Sequence, residues 1–591
     1  MKTMRPTSEL RPLIDSRLHL WRLFCLVGTL ILLAGLFYYQ VAQGNRYVQL
    51  ATQNRLRVLR LPRVRGEIYD RSGRPLALNV LTFDLMAYPL DLTDEVKEKL
   101  VTAATHAGLA LTAEGLDKTI QRRFWAPYRA IPLLNDLTLT QVTTLLNNPS
   151  FPSEVFPQNR QRRTYPAGDL TAHVVGYVGE ISEAELASST AEEDYQGGDI
   201  LGKIGVERSY EKLLAGEPGE QVMEVDARGR PRGALSSEQA QKGLDLRLSV
   251  DLGAQQKAKD LIGDRRGSVV VLDVHTGDVV VLYSNPTFDP NPMAWGLTTG
   301  EWNALTSDPA RPMMNRALAG QYSPGSIWKV ITGYAALESG VVTAKTKIRC
   351  TGRYTLGNQT YRCWRHWGHG NEDILHALRD SCDVFFYETS QKVGIDRYIA
   401  DATKFGLNGP LGIDLPGEEK GNLAGPTWKK RRNLGPWYKG DTVNYSIGQG
   451  YLLLTPLQMC SMFATVANGG YVVTPKVNAD APVQKRDAGL NKESLALIRK
   501  GLELVTAPGG TGARANAYGV AVAGKTGTVQ NAHGDDHAVF AGYAPASAPR
   551  YAAVIYLEGG LSGGREAAPL VGQLLAYLTK EEERDGTKPQ L

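Results

Sequence analysis

Residues 23 to 41, LFCLVGTLILLAGLFYYQV, contain no charged side chain. As a helix this stretch would be about 28 Å long at about 1.5 Å per residue, enough to cross the hydrocarbon core of a bilayer. Lys2, Arg5, Arg11, Arg17 and Arg22 precede it and outnumber Glu9 and Asp15, while Tyr38 and Tyr39 close its far end. That asymmetry predicts a cytoplasmic tail at 1–22, a transmembrane anchor at 23–43 and an extracytoplasmic remainder. A cleaved signal peptide is the competing reading, with Ala42-Gln43-Gly44 as a weak small-x-small site, but the apolar run exceeds the usual core of about 7 to 15 residues.

A chain of 591 residues is too long for one core, so several modules are expected. Lys and Arg number 66 against 61 Asp and Glu, and no long basic run is interleaved with aromatics, which argues against nucleic acid as a partner. Beyond the anchor, NRYVQLATQNRLRVLRLPRVRGEIYDRSGRPLA reads as a short polar helix followed by a basic, β-rich stalk. Residues 93–150 have apolar positions at three- and four-residue intervals and predict a small α-rich subdomain. Residues 183–199 are acidic and rich in small side chains, as in a solvated loop or loose helix end.

GLDLRLSVD (243–251) and GSVVVLDVHTGDVVVLYS (267–284) have strand character, the second as a hairpin turning at His275-Thr276-Gly277-Asp278. A long helical region follows from about 326 to 470. Two more strands, HAVFAGYAP and YAAVIYLEGG, and a helix, AAPLVGQLLAYL, complete the pattern. Strands first and last with helices between predict one mixed sheet whose N- and C-terminal parts pair around a helical insert. The expectation is an α+β multidomain chain: 44–250 non-catalytic, 251–580 catalytic, and a flexible tail at 581–591.

Ser326-Ile327-Trp328-Lys329 follows Pro324-Gly325, a loop entering a helix. Positions i and i+3 share a face, so the Ser326 hydroxyl and the Lys329 amine can meet, and an amine with a lowered pKa can activate a serine for acyl transfer. Alone the spacing is weak, since Ser209-Tyr210-Glu211-Lys212 has it too. Ser381-Cys382-Asp383 and Lys525-Thr526-Gly527-Thr528 supply second and third elements, the latter with a glycine that lets a ligand lie close to backbone. Singly, Ser381 and Asp383 could cap a helix and Lys-Thr-Gly could be a surface turn. Together and in this order they match the S-x-x-K, S-D-N, K-T-G set of penicillin-binding proteins and β-lactamases.

The chain resembles the class B penicillin-binding proteins, most closely the elongation-type penicillin-binding protein 2, over nearly its whole length. Besides the triplet, the resemblance is carried by RGEIYDRSGRPLA (65–77), RTYPAGDLTAHVVGYVGEI (163–181), GKIGVERSYEKLLAG (202–216), YRCWRHWGHG (361–370) and SIGQGYLLLTPLQM (446–459). It implies a pedestal or dimerisation-like domain at 44–250 and a transpeptidase domain at 251–580. It also implies a bacterial inner-membrane protein with a periplasmic catalytic domain that cross-links peptidoglycan stem peptides ending in D-Ala-D-Ala and is acylated by β-lactams. Ser326 would be the nucleophile, Lys329 its base and Ser381 a proton relay toward the leaving amine. Lys525, Thr526, Gly527 and Thr528 would hold the substrate carboxylate and strand, with the Ser326 and Thr528 N–H groups as oxyanion hole. Asp383 stands where many relatives carry Asn, and an ionised carboxylate could not donate a hydrogen bond. No ExxLN-like segment is present, which favours a long-lived acyl-enzyme. The chemistry needs no cofactor. A polytopic lipid II glycosyltransferase is the implied protein partner.

Of five cysteines, Cys25 lies in the anchor and Cys460 in an apolar helix. Cys350, Cys363 and Cys382, with His369, make a complete tetrahedral set for structural Zn²⁺ at non-standard spacing. The alternatives are a Cys350–Cys363 disulfide with Cys382 a buried thiol, or three unrelated cysteines; His366 could replace His369. Two further functions compete with catalysis: a β-lactam sensor, for which the cytoplasmic tail offers little effector, and a scaffold that activates the glycosyltransferase.

Overall fold

The computed structural model describes residues 11–123, 130–190, 193–225, 231–531 and 534–585. The chain forms two compact units, one made of residues 1–64, 82–160 and 217–241, the other of 65–81, 161–216 and 242–591.

The first unit begins with the helix Arg11–Phe37, which continues as a π-helical turn over Tyr38–Ala42. Residues 17–42 are long and apolar enough to cross a membrane, and the side chains of that stretch are unburied. A helix Gly44–Arg55 leads into the strand Leu56–Leu61, which pairs antiparallel with Gly219–Val225, itself paired with Pro231–Glu238. Three helices, Asp94–His106, Ala113–Arg123 and Leu139–Leu146, fill residues 93–150 together with a strand, Ile131–Leu137, that periodicity alone did not reveal. Its sequence IPLLNDL alternates buried and less buried positions against the Thr82–Ala87 stretch, so the helical spacing read around it belongs to its neighbours. Thr138 caps the last helix reciprocally with Gln141, closing two backbone donors.

In the second unit, three separate family-like segments meet in one buried polar network. Glu207, fully buried, receives Arg65 Nε at 2.6 Å and Arg163 Nε at 2.7 Å. Tyr165 Oη donates to the same carboxylate at 3.2 Å, and Arg65 also reaches Glu211 at 2.7 Å. Burial pushes the Glu207 carboxyl up, but the two guanidiniums outweigh it and hold the group ionised. Serine 209 is exposed and Lys212 points to solvent, so the second S-x-x-K spacing frames this network and no nucleophile.

The catalytic-side sheet contains β1 (Gly267–Asp273), β2 (Val279–Asn285), β3 (Ala523–Val529), β4 (His537–Ala544) and β5 (Tyr551–Leu557), in the order β2-β1-β5-β4-β3 and antiparallel throughout. The first and last strands of the domain pair, β1 against β5, with the insert leaving between β2 and β3. Alternate residues feed two cores. Val270, Leu272, Val554 and Tyr556 face the wholly buried helix Pro456–Ala467, while Val269, Val271, Ala553 and Ile555 face the helices Leu252–Ile262 and Ala568–Asp585. A sheet covered on both faces explains why these strands read as continuous apolar runs.

Several local expectations change. Strand pairing within 243–251 is reduced to Leu246–Arg247 and an isolated bridge from Leu248 to Asn478. Glu183–Ser188 is a short helix closed by a Ser182–Glu185 capping box. The insert is not all helix: it holds two hairpins, Ile348–Cys350 with Gly370–Glu372 and Arg353–Leu356 with Gln359–Arg362. The last helix runs to Asp585, so residues 581–585 are helical rather than tail, and 586–591 lie outside the described residues.

Removing the Glu207 carboxylate leaves two buried guanidiniums without it. Glu207→Ala is therefore expected to lower unfolding free energy by about 3 to 5 kcal/mol, read as a large fall in the thermal unfolding midpoint, with Ser209→Ala unchanged as the control.

Candidate active site

Three helices organise the site: α1 (Lys329–Glu338), α2 (Ile374–Arg379) and α3 (Asp383–Val393). Ser326 lies in a 3₁₀ turn, Gly325–Trp328, that runs straight into α1, so Lys329 is the first α-helical residue. The turn is held from two sides by glycines. Gly325 N donates to Gly448 O at 2.9 Å, and a Cβ on Gly448, at φ +76°, would fall 2.1 Å from the Gly325 carbonyl oxygen. On the other side, a Cβ on Gly527 of β3 would lie 3.2 Å from Pro324 O. Edge strand and serine turn therefore touch through backbone, which no side chain at 527 or 448 would allow.

Lys329 is wholly buried, and its three ammonium donors are all used: Ser381 O at 2.9 Å, Ser381 Oγ at 3.2 Å and Asp383 Oδ1 at 2.6 Å. Phe386 presents its ring 5.4 Å from the same nitrogen. Ser326, partly exposed, makes no side-chain hydrogen bond among the described residues, so the i, i+3 contact with Lys329 is not formed in this state. The lysine instead points across to the second motif.

Ser381 and Asp383 are not helix caps. Helix α2 ends in a Schellman motif: Cys382 N donates to Ala377 O and Ser381 N to Leu378 O. Ser381 occupies the left-handed position of that motif at φ +53°, where glycine is usual, and Cys382 is the N-cap residue of α3. The motif reverses the chain between two helices and turns both the carbonyl and the hydroxyl of Ser381 to Lys329. Holding a non-glycine residue there costs on the order of 1 kcal/mol.

The second oxygen of Asp383 accepts the backbone N–H of Trp364 at 3.2 Å. Both carboxylate oxygens thus face donors. An asparagine would turn its amide against one of them, which is the physical reason for an acid at this position. Trp364 also donates its indole N–H to Asp380 O at 3.0 Å, a second tie that sequence reasoning missed.

Lys525 sits on β3, fully buried, with Nζ 3.1 Å from Thr526 O. Burial first, and then the neighbouring Lys329 charge, pushes its amine well below the ordinary lysine range, against the pull of Asp383 and Asp380. Thr528 is exposed in an otherwise buried strand. Thr526 Oγ1 donates to Thr511 Oγ1 at 3.1 Å, and Thr511 in turn to Arg379 O at 3.1 Å. Thr511, in a loop with no motif, thereby ties β3 to the end of α2.

Cys350, Cys363, Cys382 and His369 converge as one cluster whose ligand atoms lie within 4.8 Å of one another. His369 Nδ1 is 3.6 Å from Cys350 Sγ and 3.5 Å from Cys363 Sγ. A tetrahedral zinc site with Zn–S of about 2.3 Å and Zn–N of about 2.0 Å has S···N edges of about 3.5 Å, so the donors fit the ion. Cys350, Cys363 and Cys382 are all free thiols in this structure. The hydrogen bond between Cys382 and Cys363 holds the Cys363 thiol low and pushes Cys382 up, while burial pushes Cys350 up. His366 is exposed and outside the cluster.

Residues 267–576 match the penicillin binding protein transpeptidase domain and residues 61–248 the penicillin-binding protein dimerisation domain. The chain belongs to the penicillin-binding protein transpeptidase family. Its relatives include the peptidoglycan D,D-transpeptidase MrdA of Acinetobacter baumannii, 33% identical over 100% of this chain and 92% of the relative. Among solved structures, the penicillin-binding protein PBP2 of Helicobacter pylori in complex with MreC has 29% identity and a TM-score of 0.80, covering 90% of this chain and 99% of that one. A peptidoglycan synthase complex described as coordinating polymerization and crosslinking contains a chain with 27% identity and a TM-score of 0.74, covering 97% of this chain and 99% of that one.

In this penicillin-binding protein, the strain at Ser381 separates two effects that a substitution would otherwise mix. Ser381→Gly and Ser381→Ala both delete the hydroxyl, but only glycine suits φ +53°. Ser381→Gly is expected to be more stable than Ser381→Ala by about 1 kcal/mol in denaturant unfolding, with both equally slow in acylation.

Proposed function

We infer that the chain is a serine-type peptidoglycan D,D-transpeptidase of the elongation class. The observation that carries this reading is the buried Lys329 ammonium joined at once to Ser381 and Asp383, beside a partly exposed Ser326 and the Lys525 strand. Lys329 first gives up one ammonium proton to solvent, and Ser326 then attacks the carbonyl of the penultimate D-Ala and passes its proton to the neutral Lys329 amine. Asp383 stabilises the ammonium so formed. The Lys329–Ser381 Oγ contact gives that proton a path to the leaving D-Ala nitrogen, and an amine from a second stem peptide later resolves the acyl-enzyme. The N–H groups of Ser326 and Thr528 hold the oxyanion. The terminal carboxylate of the donor docks at Lys525; an anion there restores the proton that burial disfavours, and Thr526 and Thr528 orient it.

Cys350, Cys363, His369 and Cys382 hold a structural Zn²⁺ that ties the 348–372 hairpins to the start of α3. No step of acyl transfer runs through it. The apolar N-terminal helix serves as a single-pass anchor with the N-terminus in the cytoplasm and the catalytic unit in the periplasm. The complex of the Helicobacter pylori relative with MreC supports a place in an elongation assembly, where a polytopic lipid II glycosyltransferase is the proposed partner.

Fluorescent penicillin is expected to label the full-length protein covalently and leave Ser326→Ala unlabelled; a labelled alanine variant refutes the nucleophile. Elemental analysis of the purified protein is expected to find stoichiometric zinc, lost in Cys363→Ser. Absence of zinc from the wild-type protein would remove the metal assignment while leaving the acylation result standing.

A further inference from the structure

The hairpin that precedes Cys363 places two arginines directly opposite one another. In the antiparallel register of Arg353–Leu356 with Gln359–Arg362, Arg353 pairs with Arg362. Opposed side chains of one sheet face stand about 5 Å apart at Cβ, and like charges there destabilise the hairpin. Both arginines are exposed, and neither makes an ion pair among the described residues. Tyr354 and Tyr361, pointing to the other face, pack with Tyr387 of α3, so the hairpin is anchored by its aromatic face and presents the paired guanidiniums outward. The strand then enters a loop in which Arg365 lies 5.6 Å from the ring of Trp367, and Trp367 is 77% exposed. Arg365 too is free of ion pairs among the described residues.

This cationic, aromatic loop is tied to the candidate active site, because Trp364 between Arg362 and Arg365 donates its backbone N–H to Asp383. Repulsion kept without an internal counter-ion is met by an external anion, and an exposed indole beside a guanidinium suits the apolar face of a sugar ring as well as a carboxylate. We propose that Arg353, Arg362, Arg365 and Trp367 form a binding surface for polymeric peptidoglycan, an anionic glycopeptide, outside the Ser326 pocket. Carboxylates of stem peptides sit against the arginines and a saccharide ring lies on Trp367. The surface holds a glycan strand near the acyl-enzyme and raises the local concentration of acceptor peptides, without touching the reacting atoms.

The test uses full-length protein in detergent, first acylated with penicillin so that the Ser326 pocket is blocked, and measures co-sedimentation with purified insoluble peptidoglycan. Arg353→Glu converts the like-charged pair into an opposite-charged one, so its thermal midpoint is expected to equal or exceed wild type. Its retention on peptidoglycan is expected to fall about fivefold, as is that of Trp367→Ala. The penicillin acylation rate of both variants is expected to match wild type. Retention equal to wild type in Arg353→Glu overturns the proposal. So does a fall in acylation rate that parallels the fall in retention, which would make the hairpin a support of the pocket alone. Sedimentation with phosphatidylglycerol vesicles in place of peptidoglycan assigns the patch to a membrane surface, and overturns the proposal, if Arg353→Glu weakens vesicle binding and leaves peptidoglycan binding intact.

Discussion

A lysine ammonium with no solvent exposure is the constraint around which the catalytic unit is arranged. Such a cation is tolerable in an interior only when its donors are met and an opposite charge lies in contact. Lys329 meets both conditions through two residues separated by Cys382, and that requirement dictates the geometry of the link between α2 and α3. A carbonyl, a hydroxyl and a carboxylate must converge on one nitrogen from a stretch of chain just three residues long. A continuous helix could not present them so. The Schellman reversal at Ser381 does, and the left-handed strain there is offset by the charge it satisfies. The same reversal delivers Cys382 to the opposite side, where it joins Cys350, Cys363 and His369.

The two sides of that link are mechanically connected. Cys363 belongs to the thiol cluster, and the next residue, Trp364, donates to Asp383 and to the carbonyl of Asp380. Fixing Cys363 therefore fixes the donor that faces the second oxygen of Asp383, and with it the orientation of the carboxylate beside Lys329. Cluster and buried lysine are coupled through one backbone N–H, one indole and the chain at Cys382. Second-layer partners of this kind govern whether a charged group is held to the geometry its chemistry needs.

Much of this was legible in the sequence because it is carried by short local patterns. The uncharged stretch at 23–41, the His275–Asp278 turn, the apolar runs of β1, β4 and β5, and the four cysteine and histidine donors between 350 and 382 all show themselves within single segments of the chain. What the sequence did not reveal comes from distant backbone. Gly448, Thr511 and Trp364 act through main-chain approach or one or two hydrogen bonds, and none sits in a motif that names its partner. The strand Ile131–Leu137 was hidden because its two flanking helices impose their spacing on a window wider than itself. The helical tendency of 326–470 concealed two short hairpins, whose Arg, Tyr and Thr content is as compatible with loops as with strands.

The duplicate S-x-x-K spacing shows where the chemistry of the motif resides. Lys212 is 85% exposed with Glu193 at 3.6 Å, whereas Lys329 is buried with Asp383 at 2.6 Å. In the exposed pair water screens the amine, and the neighbouring serine gains nothing from it. In the buried site each charge is felt by the next, and the displacement of Lys525 from the ordinary lysine range follows partly from Lys329. An anion arriving at Lys525 would stabilise charge on the amine that burial and the Lys329 charge disfavour. Under the proposed function the demand for that anion is met by a peptide ending in a free carboxylate and not by a neutral ester.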